Sequence, residues 1–206
     1  MDGTLLNGRV IYSLGERFGI IEKIKTIMNG TISPLEKSKI LAKNLAGFKV
    51  DMILDTIKDI PLMTGVNRTI DKLKKKGHYI GIISDSYTIA TSYLSETLNM
   101  DFHVANELEI QDGKVTGQIF MPLGWKKANC SCKRSVCKRY FLRKFADSMK
   151  IPISNCIAIG DSIGDWCMIE EAGRGIAFDP KDKNLDQYAD IVINEKDLTR
   201  IFEWIN

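Results

Sequence analysis

Residues 157–165, Ile-Ala-Ile-Gly-Asp-Ser-Ile-Gly-Asp, set two carboxylates four positions apart after a short apolar run. An apolar run into Gly-Asp reads as a buried strand that turns sharply at its carboxyl end, where open α/β sheets bind ligands. Asp161 and Asp165 at that edge are hard oxygen ligands suited to Mg²⁺. Alone, the segment fits equally well with Asp161 as a helix cap and Asp165 in water. Ile82-Ile83-Ser84-Asp85-Ser86 is a second apolar run, ending in hydroxyls and an acid. Such a hydroxyl, with the N–H groups of a helix start, can hold a phosphate oxygen; the plain alternative is a serine N-cap. The chain opens Met1-Asp2-Gly3-Thr4-Leu5-Leu6, with an acid, a glycine and a hydroxyl ahead of an apolar pair. Eight cations crowd residues 126–144: Lys126, Lys127, Lys133, Arg134, Lys138, Arg139, Arg143 and Lys144. Most belong on a solvated face. One beside two carboxylates and a phosphate would offset charge on a transferring group.

These residues need a scaffold, and two textures supply it. Residues 8 to about 60 read as helices. Val10, Ile11, Leu14 and Phe18 share one helical face. Ser33, Pro34 and Glu36 give an N-cap, a first-turn proline and a capping-box acid, while Pro61 stops the last helix of the block. Beyond Pro61 strands and helices alternate. Tyr79–Ile83, Phe102–Ala105, Cys156–Ile159, Gly175–Phe178 and Ile191–Ile193 read as strands. Asp112-Gly113 between Leu108–Ile110 and Val115–Ile119 signals a hairpin. A basic helix is expected from Ser135 to Met149, and a final helix after residue 193. Alternation of this kind implies a Rossmann-like parallel α/β sheet with helices on both faces. The helical block is expected as an insertion, residues 8–65, into a core made of residues 1–7 and 66–206.

The chain has 206 residues, 44% hydrophobic and 27% charged, with a formal net charge of +3. That balance is ordinary for a globular protein, and it does not point to nucleic acid. No run of eighteen apolar residues exists to span a membrane. The first residues lack the charged and apolar regions of a signal peptide, so a cytoplasmic protein is expected. Five cysteines, an odd count, fit reduced thiols. Cys130, Cys132 and Cys137 only partly meet zinc spacing, with His103 a distant fourth candidate, while Cys156 and Cys167 read as core.

Taken in order, these features resemble the motifs of the haloacid dehalogenase superfamily, and of its phosphoserine phosphatase-like members. Asp2-Gly3-Thr4 resembles the end of Asp-x-Asp-Gly-Thr; Ser84 resembles the strand-end Ser/Thr; Gly160-Asp161…Asp165 resembles Gly-Asp-x-x-x-Asp. The resemblance covers essentially the whole chain. It implies a Mg²⁺-dependent phosphomonoester hydrolase with a small helical cap, working through an aspartyl-phosphate. Asp2 would be the general acid and base, and its backbone carbonyl a metal ligand. Asp161 would bind Mg²⁺ directly, with Asp165 beside it orienting the metal shell and the lysine. Ser84, with Asp85 and Thr4, would face the phosphate. Lys138 is the preferred motif-three lysine and Lys133 the fallback.

Two departures follow. The attacking Asp of the motif would lie one residue before Met1, and with it the first strand. The expectation is therefore that this chain is inactive or strongly impaired, through a misplaced start or as a non-catalytic phosphate- or metal-binding relative. Second, Arg9 falls where the resemblance implies a glutamate for a substrate amine. A cation there favours a small metabolite that is acidic or multiply phosphorylated. Expected partners are that metabolite alone, with no nucleic acid or membrane, in a monomer or homodimer.

Overall fold

The computed structural model describes residues 1–205. Four helices come first: α1 (Val10–Arg17), α2 (Ile21–Asn29), α3 (Pro34–Asn44) and α4 (Val50–Lys58). Ser33 Oγ accepts from Glu36 N at 3.2 Å, with Pro34 in the first turn, so α3 starts where its capping residues dictate. Then follow α5 (Val66–Lys75), β1 (Gly81–Tyr87), α6 (Thr88–Thr97) and the hairpin β2 (Phe102–Gln111) and β3 (Lys114–Phe120). Asp112 (φ 50°) and Gly113 (φ 72°) both lie in the left-handed region that a tight two-residue hairpin turn requires. The remainder comprises α7 (Lys138–Ser148), β4 (Ile157–Gly160), the single-turn α8 (Trp166–Ile169), β5 (Arg174–Phe178) and β6 (Ile191–Ile193). No helix among the described residues is long and apolar enough to cross a membrane.

The α/β class stands, with the parallel pairs β1–β2, β4–β5 and β5–β6, and antiparallel β2–β3. The strands form two three-stranded sheets, in the orders β1-β2-β3 and β4-β5-β6. Their side chains alternate between two shared cores, as strand periodicity requires. Ile82, Ile176 and Phe178 join one core with Val66, Ile70 and Leu94 of α5 and α6. Ile83, Ala158 and Ala177 join the other with Phe141, Leu142 and Met168 of α7 and α8. Helices therefore cover both faces. Residues of both sheets meet in each core, so the sheets lie side by side as one layer. Each such side chain removed from water contributes roughly 1.5–3 kcal/mol.

Four elements differ from expectation. The strand expected at Tyr79–Ile83 starts at Gly81 and runs on to Tyr87, with its register against β2 shifting after Ile83. The basic helix starts at Lys138 rather than Ser135, because residues 124–137 form a loop with left-handed backbone at Gly124, Asn129 and Lys133. The two short strands expected at 102–105 and 108–110 are one strand, because pairing with β1 reaches Asn106 and pairing with β3 takes over at Glu107; the buried Asn106 side chain donates to Asp85 O at 2.6 Å. The final helix is a 3-10 segment, Leu198–Glu203, its start held by Asp197 Oδ1 accepting from Thr199 N.

Candidate functional site

A cavity of about 390 Å³ opens over the carboxyl ends of β1 and β4. Four stretches of chain line it: Met1, Asp2 and Arg9; Ser84 to Tyr87; Arg134 and Lys138; and Asp161 to Asp165. Lys37, Ser38 and Leu41 of α3 face it from the helical block. The fold thus brings together Asp2, Arg9, Ser84, Asp85, Lys138, Asp161 and Asp165. Thr4 and Lys133 do not line it. Thr4 is buried, and its hydroxyl has no protein partner. Lys133 is exposed on the loop before α7, in left-handed backbone (φ 46°).

Lys138 and Asp165 form a buried ion pair, with side chains 6% and 5% exposed. The Asp165 Oδ2 atom accepts from Ser162 N at 3.1 Å and Ser162 Oγ at 3.0 Å. Both of its oxygens are thus engaged, which makes Asp165 an anchor for Lys138 and for its own loop. Burial alone would raise the Asp165 pKa, but Lys138 and the nearby amino terminus more than offset it, holding it at about 2. Burial likewise works against charge on Lys138, and Asp165 with Asp85 outweighs it, raising its pKa.

Asp161 is in the opposite situation. It is buried, its Oδ2 has no hydrogen-bond partner, and Arg9 Nη2 stands 4.0 Å away. Burial, followed by repulsion from Asp165, raises its pKa. A buried carboxylate oxygen without a partner costs free energy. A hard cation would satisfy it, so the donor set fits a divalent metal held by oxygen. Asp2 is pushed up to about 6, chiefly by burial, with the amino terminus opposing. Its Oδ1 accepts from Val10 N at 3.3 Å, which fixes the first loop to the start of α1.

Glycine makes this approach possible. Gly3 has φ +72°, and a Cβ built there would lie 2.1 Å from Asp161 Oδ2. Gly3→Ala is therefore expected to lower the thermal midpoint by several degrees, from roughly 1–2 kcal/mol of backbone strain plus the displaced carboxylate. A melting curve identical to that of the parent would show that the first loop does not pack on Asp161 as described.

Sequence reasoning counted Arg134 among solvated cations. Instead its Nη1 meets Asp85 Oδ2 at 2.9 Å, and the neighbouring Ser135 Oγ accepts from Asn106 Nδ2 at 3.0 Å. Asp85 itself stays below the usual carboxylate range: burial raises it, but Lys138 and Arg134 lower it more. Asp85 therefore orients a guanidinium toward the cavity. Nothing in the basic run marked Arg134 apart from its neighbours.

A family model described as haloacid dehalogenase-like hydrolase matches residues 1–170. The phosphoserine phosphatase of Methanocaldococcus jannaschii is 29% identical over 208 residues, 99% of this chain and 94% of that protein. Phosphoserine phosphatase SerB2 of Mycobacterium tuberculosis is 31% identical over 185 residues, 88% of this chain but 43% of that longer protein. A solved phospho-aspartyl intermediate analogue of phosphoserine phosphatase superposes with a TM-score of 0.85 at 27% identity, over 100% of this chain and 96% of that one. The match spans most of the chain and the fold agrees throughout, so this chain belongs to the haloacid dehalogenase-like hydrolases.

Proposed function

We propose that this fold hydrolyses a phosphomonoester of a small metabolite with the help of Mg²⁺, through an aspartyl-phosphate. The observation that carries the reading is the meeting, over two strand ends, of an unpartnered buried carboxylate (Asp161), an acid with a raised pKa (Asp2), and a buried lysine fixed by Asp165. Residues 8–65 act as the cap and residues 1–7 with 66–206 as the core.

The attacking carboxylate is proposed to precede Met1, on a strand that pairs with the free edges of β1 and β4. Among the described residues each of these strands has a single partner, on its outer side. The Met1 amino group lies close enough to Asp2, Asp161 and Asp165 to lower all three pKa values. Met1 lines the cavity, which supports the placement of a preceding carboxylate there.

In the reaction the attacking oxygen bonds to phosphorus as the P–O bond to the leaving group breaks. Protonated Asp2 donates to the departing oxygen. Asp2 then accepts a proton from the water that cleaves the aspartyl-phosphate, releasing inorganic phosphate. Lys138, fixed by Asp165, offsets charge on the nucleophile and phosphoryl group, and Ser84 holds a phosphate oxygen. Asp161 and the Asp2 carbonyl would hold Mg²⁺, which when bound polarises a phosphoryl oxygen. Arg9 in the cavity favours substrates with a second anionic group over one presenting an amine.

The test compares p-nitrophenyl phosphate hydrolysis by this chain and by the same chain extended with the residues encoded upstream. The extended chain is expected to exceed the shorter by at least about 10³-fold, as for removal of a nucleophile. Asp161→Ala should abolish its activity. An inert extended chain, or the absence of an upstream acid, would leave a non-catalytic phosphate- or metal-binding protein.

A further inference from the structure

Four of the five cysteines meet in a second place that the reaction does not use. Cys130, Cys132, Cys137 and Cys167 are unbridged, and their sulfurs all lie within 4.8 Å of one another. The sequence offers three of them with His103 as a distant fourth candidate; in the fold His103 Nδ1 instead meets Thr91 Oγ1 at 3.0 Å, and Cys167, expected in the core, joins the three through α8. Three are buried and Cys132 is half-buried, in a pocket formed with Ala128, Trp125, Tyr140 and Trp166.

The spacing decides what the group can do. A tetrahedral ion with Zn–S bonds of about 2.3 Å separates its sulfurs by roughly 3.8 Å. The thiols are already gathered to near that scale, too tightly for a multi-iron cluster. A set of four sulfurs with no oxygen or nitrogen ligand selects zinc or iron over Mg²⁺. The loop is shaped for it. Leu123 N donates to Ser135 O and Cys137 N to Leu123 O, both at 2.8 Å, closing residues 123–137 on themselves. Arg139 Nε donates to Cys167 O at 3.1 Å and also pairs with Glu171, which ties the start of α7 to α8 beside the cluster.

We propose that Cys130, Cys132, Cys137 and Cys167 bind one Zn²⁺ in a closed structural site that fastens the start of α7 to the start of α8. Cys137 directly precedes Lys138, and Cys167 lies two residues after Asp165. The ion therefore clamps from outside the two segments whose side chains pair inside the cavity. On binding, the thiols release their protons to solvent and no redox partner is required.

The test uses the full chain, untagged and purified without chelator. Elemental analysis should find about one zinc per chain. A mercurial reagent should release it, as read by a chromogenic zinc indicator. Replacement by Co²⁺ should give intense visible bands of a tetrahedral ion with thiolate charge transfer, which an oxygen-ligated ion at Asp161 cannot produce. Cys132→Ser and Cys167→Ser should each lose most of the zinc, while Cys156→Ser, outside the cluster, keeps it. The proposal fails if reduced, folded protein takes up neither zinc nor Co²⁺, if the bound metal is iron, or if Cys156→Ser loses as much zinc as Cys132→Ser. It fails equally if protein isolated without air carries a disulfide within the four. The mercurial release needs no variant, so it decides the matter even if Cys167→Ser does not fold.

Discussion

Lys138→Met should cost about 3–5 kcal/mol of stability and leave the extended chain without measurable phosphatase activity. The stability loss follows from geometry. Lys138 and Asp165 are almost wholly buried and bonded to each other, so removing the cation strands a carboxylate in low dielectric. Removing both charges should hurt less: Lys138→Met with Asp165→Asn is expected to regain much of the stability and none of the activity. Chemical denaturation of the parent, both single variants and the double closes the cycle. If the double variant is no more stable than Lys138→Met, the cost does not come from an orphaned charge. The pair also has a pH signature. Asp165 is held at about 2 against an ordinary 3.8, so its contribution is present above pH 4 and fades as pH falls toward 2.

Asp2→Asn is expected to separate catalysis from stability in the opposite sense. As general acid and base Asp2 should be worth 10² to 10⁴ in turnover of the extended chain. The same substitution should stabilise the metal-free chain that starts at Met1, because burial raises Asp2 to about 6 and makes its charged form costly. The folded-state pKa is above the unfolded one. The parent is therefore most stable below pH 4 with respect to this group, loses stability as pH rises to about 6, and stays level beyond. Asp2→Asn lacks that loss, so its advantage in EDTA should grow from under about 1 kcal/mol at pH 4 to about 3 kcal/mol at pH 7. Parallel stability curves for the two chains across that range would place Asp2 in water.

The strand ends were legible because their chemistry is local. Ile-Gly-Asp carries a strand, its stop and a polar group within a few residues, Ile-Ser-Asp carries a strand and the break in its regular pairing, and the fold sets both at one cavity. Lys138 was legible only with the help of the family motifs, since Lys133 lies in the same basic run. What separates them is loop backbone: φ at Lys133 is 46°, and the helix begins five residues later. Pairings across long separations were out of reach. Arg134 finds Asp85 across 49 residues, and Cys167 joins cysteines 30 or more residues earlier, with no periodicity to announce either. The final 3-10 segment was read as a regular helix because its apolar spacing is the same over so short a stretch.

The cavity draws its walls from Met1, Asp2 and Arg9, from residues 84–87, from Arg134 and Lys138, and from residues 161–165, while Leu198 and Ile201, near the other end of the chain, share a core with Leu5 and Leu6. During synthesis the first acid leaves the ribosome on the order of ten seconds before the last residues it needs. Until then Leu5, Leu6 and Val10 have no finished core to enter and the carboxylates no lysine to balance them. A nascent chain of this design gains its chemistry all at once and late. Products of premature termination are left with exposed apolar surface and no activity, material for chaperones and proteases rather than for metabolism.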